Sequence, residues 1–321
     1  MERPARGEGS ARRGRMRFPG VGAVPVPHMI GEGEGMKLVR YDAGAGARIG
    51  VVKADGIVDL TAARLGWTTM MEIISAGAET LDAIAGIVAR DDASVALDGV
   101  RLLAPIERPG KYLAIGMNYA KHRDEADKLG IASPQHQLWF NKQTSCLSGP
   151  FDAIDPGVSE KLDYEVELAA VIGRAAKRVS EADAPGHVFG YMVANDVSAR
   201  DWQFHSQTFT MGKSFDTHGP IGPWIVTADE IADPHALGLR CFVNGEKRQD
   251  SNTSEMVASL WDQIAYLSTA FTLEPGDLIA TGTPHGVGAA LEPPIFLKPG
   301  DVVRCEIDGI GAIENMVVAP R

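Results

Sequence analysis

The chain has 321 residues, 45% hydrophobic and 23% charged, which is the balance of a globular protein able to bury a sizeable core. Its 31 basic and 42 acidic residues give a net charge of −11, which disfavours nucleic acid and anionic membranes as partners. No stretch approaches the roughly 18 consecutive apolar residues of a membrane-crossing helix.

Residues 1–35 are rich in Arg, Gly and Pro and lack both a helical period and the apolar core of a secretory signal. They read as a disordered, dispensable tail, with an Arg-rich transit peptide as the alternative. Residues 36–104 read as a small N-terminal α/β domain. "KLVRYDA", "ARIGVVKADGIVDL" and "VRLLAPI" carry strand patterns, and "TMMEIISAG" and "TLDAIAGIVAR" carry helical spacing. Pro105 and Pro109 mark the boundary. From 105 to 321 short strands recur between turns, and helices are expected only at 118–129, 179–186, 196–203 and 254–271. The sequence "NGE" at 244–246 is a hairpin turn, because Asn-Gly accepts the positive φ angles of a two-residue loop. This pattern predicts a β-rich α+β fold, a sandwich or roll rather than a doubly wound parallel sheet. Cys146, Cys241 and Cys305 are far apart in the chain and odd in number, so reduced thiols in a cytoplasmic protein are expected.

Five stretches carry candidate chemistry. In "KLDYEVELAAVIG" (161–173), Glu165 and Glu167 point the same way if the segment is a strand. Alone, the pair fits an exposed strand face. "YMVANDVSARDWQ" (191–203) adds Asp196 at the end of another apolar strand. Three carboxylates in one cleft cannot all stay ionised without a cation, and all-oxygen ligation suits Mg²⁺, Mn²⁺ or Ca²⁺ rather than zinc. In "GMNYAKHRDEADKLG" (116–130), His122 and Glu125 share a face of a helix, where a carboxylate can orient an imidazole base. A charged, solvent-facing helix is the plainer reading of that run. In "SQTFTMGKSFDTHGPIGPWIV" (206–226), Lys213 can stabilise an enolate or oxyanion, or simply pair with Asp216 at the surface. His218 and His285 are alternative bases. "IATGTPHGVGAA" (279–290) fails as a nucleotide fingerprint, and its threonines and backbone amides suit a carboxylate better.

Taken together, "GMNYAKHRDE", "DYEVELAAVIG", "NDVSARDWQ", "GKSFDTHGPIGPW", "VNGEKRQ" and "LEPGDLIATGTPHGVG" resemble, in order, the fumarylacetoacetate hydrolase family over roughly 106–321. The resemblance implies a mixed β-sandwich roll and a homodimer, with Mg²⁺ or Mn²⁺ on Glu165, Glu167 and Asp196. It places the His/Glu dyad on His122 and Glu125, in a mobile lid. It also puts helper groups on Arg200, Gln203 and Lys213 and a carboxylate-binding threonine on Thr283. Tyr119, His205 and His285 are candidates for the substrate side-chain pocket. One departure is "FNKQTS", where Gln143 follows Lys142 and many members have Lys-Pro. That leaves the role of Lys142 open.

The run as a whole looks most like the branch acting on 2,4-diketo-3-deoxy sugar acids of the rhamnonate or fuconate type. The implied reaction is metal-dependent hydrolysis of the C3–C4 bond of a 2,4-diketo acid, giving pyruvate and a short acid such as lactate. Alternatives are an oxo-acid isomerase or decarboxylase, an acylpyruvate or fumarylpyruvate hydrolase, or a catalytically silent oxo-acid-binding protein.

Overall fold

The computed structural model describes residues 36–63, 66–128, 130 and 132–320, so the expectation for residues 1–35 lies outside the described residues. Twelve strands form one large, mixed sheet. Its main path runs from Val95–Ala96, through the hairpin of Gly56–Asp59 and Ala47–Lys53, to Lys37–Asp42. It continues through Gly219–Thr227, Val188–Asn195, Val166–Ile172, Leu278–Ala280 and Tyr112–Gly116 to Leu138–Asn141. Lys37 and Leu38 pair antiparallel with Val226 and Ile225, so the N-terminal unit is hydrogen-bonded into the same sheet as the rest of the chain. Leu278–Ala280 runs parallel to Tyr112–Gly116, which makes the sheet mixed. A second sheet of four antiparallel strands has the order Glu246–Asn252, Gly238–Val243, Val302–Ile307, Gly311–Met316. The β-rich architecture expected from the sequence is therefore what the chain adopts.

Strand Val166–Ile172 is buried along its whole length and divides two cores. Leu168, Ala170 and Ile172 pack with Leu239, Val303 and Ile313 of the four-stranded sheet. Ala169 and Val171 face the other way, toward Met70, Ile73, Ile74 and Ile84 of the helical face. Side chains alternate across a strand, so both faces must be apolar when both are covered. Each fully buried Leu or Ile contributes about 1.5–3 kcal/mol, which anchors this strand firmly.

The helices are few. Helix α1 (Met70–Ala76) begins at a capping box between Thr69 and Glu72. Gly77, at φ 82°, ends it and admits α2 (Ala78–Arg90) directly. Helix α3 spans Ala120–Lys128, α4 Arg200–Gln203, α5 Thr210–Lys213 and α6 Leu260–Ala270.

Several expected boundaries move, each for a local reason. The helix expected over 254–271 starts at Leu260, because the Ser259 hydroxyl caps it by accepting from Asp262 N–H at 3.1 Å, after a separate turn at Thr253–Glu255. The helix expected over 179–186 is a turn followed by a short 3₁₀ segment at Ala184–His187 that contains Pro185. In 196–203 only α4 is helical, since Ser198–Ala199 pairs with Leu162–Asp163. The polar stretch Glu246–Asn252 is an edge strand that its composition hid. The Asn244-Gly245 turn forms as expected, with φ 52° and 80°. Cysteines 241 and 305, distant in sequence, face each other across two strands with their Sγ atoms 3.9 Å apart, and all three thiols are free and buried.

Candidate active site

The period of two in the central strand places Glu165 and Glu167 on the same side as Ala169 and Val171. Glu165 lies just before the strand, yet its backbone is held in register. Its N–H donates to Asn195 Oδ1 at 3.0 Å, and its carbonyl accepts from Asp196 N–H at 2.9 Å. Asp196 follows the neighbouring strand, whose Ala194 and Asn195 pair with Glu167 and Val166. Two adjacent strand ends thus deliver all three carboxylates to one place. Their nearest oxygens lie within 4.8 Å of one another, and the residues are 5%, 1% and 0% exposed. An exposed strand face is ruled out for this pair.

Basic groups surround the carboxylates. Lys213 Nζ donates to Glu165 Oε2 at 2.7 Å and to Asp196 Oδ2 at 2.8 Å, rather than pairing with Asp216 at the surface. Arg200 reaches Glu165 Oε1 at 2.7 Å through Nη2 and Asp163 Oδ2 at 2.8 Å through Nε. Lys142, left open by the sequence, is buried, and its ammonium donates to Asp196 Oδ1 and to the Lys213 carbonyl. Burial, the largest single influence, would lower the Lys142 pKa, but the charge and hydrogen bond of Asp196 together with the other negative groups nearby, Glu165 among them, outweigh it and hold the ammonium above its ordinary value.

Asp163 is the residue that sequence reasoning missed. Wholly buried, it accepts from Arg200 and from the N–H groups of Tyr164, Gly288 and Ala289, at 2.8–3.0 Å. It fixes Arg200 beside Glu165 and ties down the 288–290 turn. Its place two residues before Glu165 in "DYEVE" is visible in the chain. Its partners 125 and 126 residues later are not.

The two glutamates differ electrostatically. Burial opposes ionisation of Glu165, but Lys213, Arg200 and His122 outweigh it and hold the carboxyl down to about 2. Burial, together with the charges of Asp196 and Glu165, pushes Glu167 well above the usual carboxylate range. The hydrogen bond described for its side chain comes from Gly282 N–H at 3.0 Å. With Asp163 the cluster holds four carboxylates against three basic side chains, Lys142, Lys213 and Arg200. A hard divalent cation fits that donor set: it would take oxygen ligands and relieve the acid left with a single amide partner.

Above this floor lies α3. His122 Nδ1 is 3.1 Å from Glu125 Oε2, and Glu125 Oε1 accepts from Gly286 N–H at 2.9 Å. Both side chains are mostly buried, at 16% and 20% exposure, so a solvated charged helix is not the right description of this face. With the Nδ1 proton directed at Glu125, Nε2 is left as the proton acceptor.

The other candidates fall into place less directly. Gln203 Oε1 accepts from Arg200 Nη1 at 3.0 Å. The Thr283 hydroxyl donates to the Val166 carbonyl and accepts from Gln249 Nε2, both at 2.9 Å, and so braces the strand that carries Glu167. Tyr119 is 1% exposed and packs in the core, with no hydrogen-bond partner for its hydroxyl among the described residues. His218 is buried, and Nε2 donates to the Asp155 carbonyl at 2.9 Å. Burial and the Lys142 charge push its pKa down to about 4. His285 is half-buried beside the 286–290 turn.

The fold and this site define an enzyme class that sequence comparison shows independently. Residues 111–318 match the family described as Fumarylacetoacetate (FAA) hydrolase C-terminal, and residues 36–105 match Rv2993c-like, N-terminal. The chain belongs to the fumarylacetoacetate hydrolase family, whose members among its relatives are hydrolases, isomerases and tautomerases. It is 45% identical over 291 residues to the mitochondrial oxaloacetate tautomerase fahd2 of Xenopus laevis, covering 88% of this chain and 90% of that one. Among solved structures it resembles the fumarylacetoacetate hydrolase of Exiguobacterium antarcticum, at 38% identity and a TM-score of 0.75, covering 88% of this chain and 99% of that one. It also resembles the maleylpyruvate hydrolase of Sphingobium sp. SYK-6 in complex with manganese (II) ion and pyruvate. That match has 34% identity and a TM-score of 0.75, covering 89% of this chain and all of the other. Among the described residues, no helix is long and apolar enough to cross a membrane.

Proposed function

We propose that this protein carries out metal-dependent enolate chemistry on a small 2-oxo acid bearing a second carbonyl or carboxyl group nearby, with His122 as the proton-transfer group. The observation that carries the reading is the meeting of a buried three-carboxylate cluster with a carboxylate-oriented histidine. A divalent cation, Mg²⁺ or Mn²⁺, held by Glu165, Glu167 and Asp196, would supply Lewis-acid stabilisation of enolate charge. Lys213 and Arg200 offset the carboxylate charge around the cation, and Gln203 holds the Arg200 guanidinium in place. Substrate carboxylate capture is assigned to the Thr283 segment, where rotation of the hydroxyl away from Val166 frees its proton. Tyr119, buried just before α3, is assigned to the substrate-binding side of the site.

Two reactions share this machinery. In keto–enol tautomerisation, His122 removes a proton from the carbon beside the 2-oxo group and returns it to the enolate oxygen, the reverse order converting the enol to the keto form. An oxaloacetate-like diacid is then the substrate, and the similarity to oxaloacetate tautomerase across 88% of the chain favours it. In hydrolysis, His122 takes a proton from water, which attacks the C4 carbonyl of a 2,4-diketo acid. The C3–C4 bond then breaks to give a pyruvate enolate and an acid. The dyad and the likeness to a maleylpyruvate hydrolase favour this second reading. The sugar-acid substrate and lactate product rest on the sequence resemblance alone.

The protein would act on a free small molecule as a homodimer, with neither nucleic acid nor membrane as partner. Its compartment would be the cytoplasm by the free thiols, or the mitochondrion by the relative's name.

The test is product analysis with Mg²⁺ or Mn²⁺ on enolic oxaloacetate and on a panel of 2,4-diketo acids. Tautomerisation leaves the mass unchanged, hydrolysis yields pyruvate and a second acid, and decarboxylation releases carbon dioxide. Metal-dependent turnover of either kind supports the reading. Turnover that survives chelation, or none on any substrate, would overturn it.

A further inference from the structure

The segment that leads into α3 is built unlike an ordinary helix start. Met117 adopts φ 55°, a left-handed conformation uncommon for a residue with a side chain. Its carbonyl accepts from Arg123 Nε at 2.6 Å, a bond that ties the side chain of Arg123 in α3 to the residue where the lead-in segment turns. Asn118, the next residue, is completely buried. Its side-chain amide pairs with the backbone of Ala258 in both directions: Nδ2 donates to the carbonyl at 3.0 Å and Oδ1 accepts from the N–H at 2.8 Å. The same Nδ2 donates to the Thr281 carbonyl at 2.8 Å. The backbone carbonyl of Asn118 accepts from Val257 N–H at 2.7 Å. One side chain thereby joins the start of α3 to the 257–258 segment and to the strand end at 281. The neighbouring Gly282 gives its N–H to Glu167, and a Cβ at that glycine would come within 2.7 Å of Asn118 Cβ.

We infer that Asn118 is a positioning residue for His122. It touches no reacting atom. From four residues before the histidine it fixes the start of α3, while the Glu125–Gly286 hydrogen bond fixes the helix three residues after the histidine. His122 thus hangs between two tethers, one to each end of the 281–286 segment that also contacts Glu167. The inference rests on the reading of His122 as the proton-transfer group. Only an amide can serve at 118: two of its contacts are carbonyls that need a donor and the third is an N–H that needs an acceptor.

Asn118→Asp preserves the shape and sets carboxylate oxygen against two carbonyls. Three measurements on that variant test the inference: amide hydrogen exchange over 117–125, Mn²⁺ affinity, and kcat and KM on the substrate found above. Exchange in α3 should accelerate about tenfold or more while the central strand stays protected. Mn²⁺ affinity should hold within about threefold, and kcat should fall about tenfold or more with a smaller change in KM. Asn118→Ser keeps one donor and one acceptor on a shorter arm. It should show the same pattern at lower amplitude, and it decides the matter if the aspartate variant does not fold. Unchanged exchange in α3, or loss of Mn²⁺ affinity in step with kcat, would overturn the inference. If no substrate is turned over by the parent protein, the proposed function fails, while exchange and Mn²⁺ affinity still decide the role of Asn118.

Discussion

The carboxylate floor and the α3 cap answer opposite demands. The floor is made of strand ends locked between two apolar cores, and its acids are buried among Lys142, Lys213 and Arg200. The cap is a short, highly polar helix whose His122 and Glu125 keep partial solvent contact and whose attachments are individual hydrogen bonds. Buried charge is tolerated only when its geometry is fixed, so the floor has little freedom. Under the proposed function the cap carries the proton-transfer group, which has to admit a substrate, and attachment by individual hydrogen bonds suits that demand. In the proposed function, charge stabilisation falls to the floor and proton movement to the cap.

That division can be broken at several points. The largest effect should come from the floor itself. Glu167→Gln or Asp196→Asn should weaken Mn²⁺ binding by more than about a hundredfold and abolish turnover, as followed by metal titration and product analysis. Retained metal-dependent activity would remove these residues from the site. Next in size is Lys142→Met, which frees Asp196 from a buried partner without touching α3. Metal affinity should fall about 10- to 100-fold, while hydrogen exchange in α3 stays at the parent rate.

The smallest effect concerns stability rather than chemistry. The folded-state pKa of His218 is depressed from 6.5 to about 4, so the native state favours the neutral ring. Its contribution is fully present above 6.5 and is lost as pH falls from 6.5 toward 4, by on the order of 3 kcal/mol. In His218→Phe the corresponding part of the denaturation slope over that window should vanish. An unaltered pH profile would show that the imidazole is not held neutral in the fold.

Much of the site is legible in the amino-acid sequence. The Glu-x-Glu pattern defines a shared face, and Asp196 at the end of a second apolar strand supplies the missing third acid. The i, i+3 spacing of His122 and Glu125 leads to a real contact. What escapes are residues defined by distant partners. Asp163 matters through amides at 288 and 289, and Lys142 through Asp196 and the Lys213 backbone. The edge strand Glu246–Asn252 escapes for another reason, because hydrogen bonding to Gly238–Val243 sustains it where its own residues are polar. Cys241 and Cys305, 64 residues apart, become neighbours only through the pairing of their two strands.

In the proposed function, binding the metal and moving the proton belong to different parts of the molecule. The most direct test of that division is His122→Ala, with Mn²⁺ affinity and turnover measured on the same preparation. Affinity should stay within about twofold of the parent while kcat falls by about 10²- to 10⁴-fold. Turnover near the parent rate, or metal binding lost together with activity, would contradict the division.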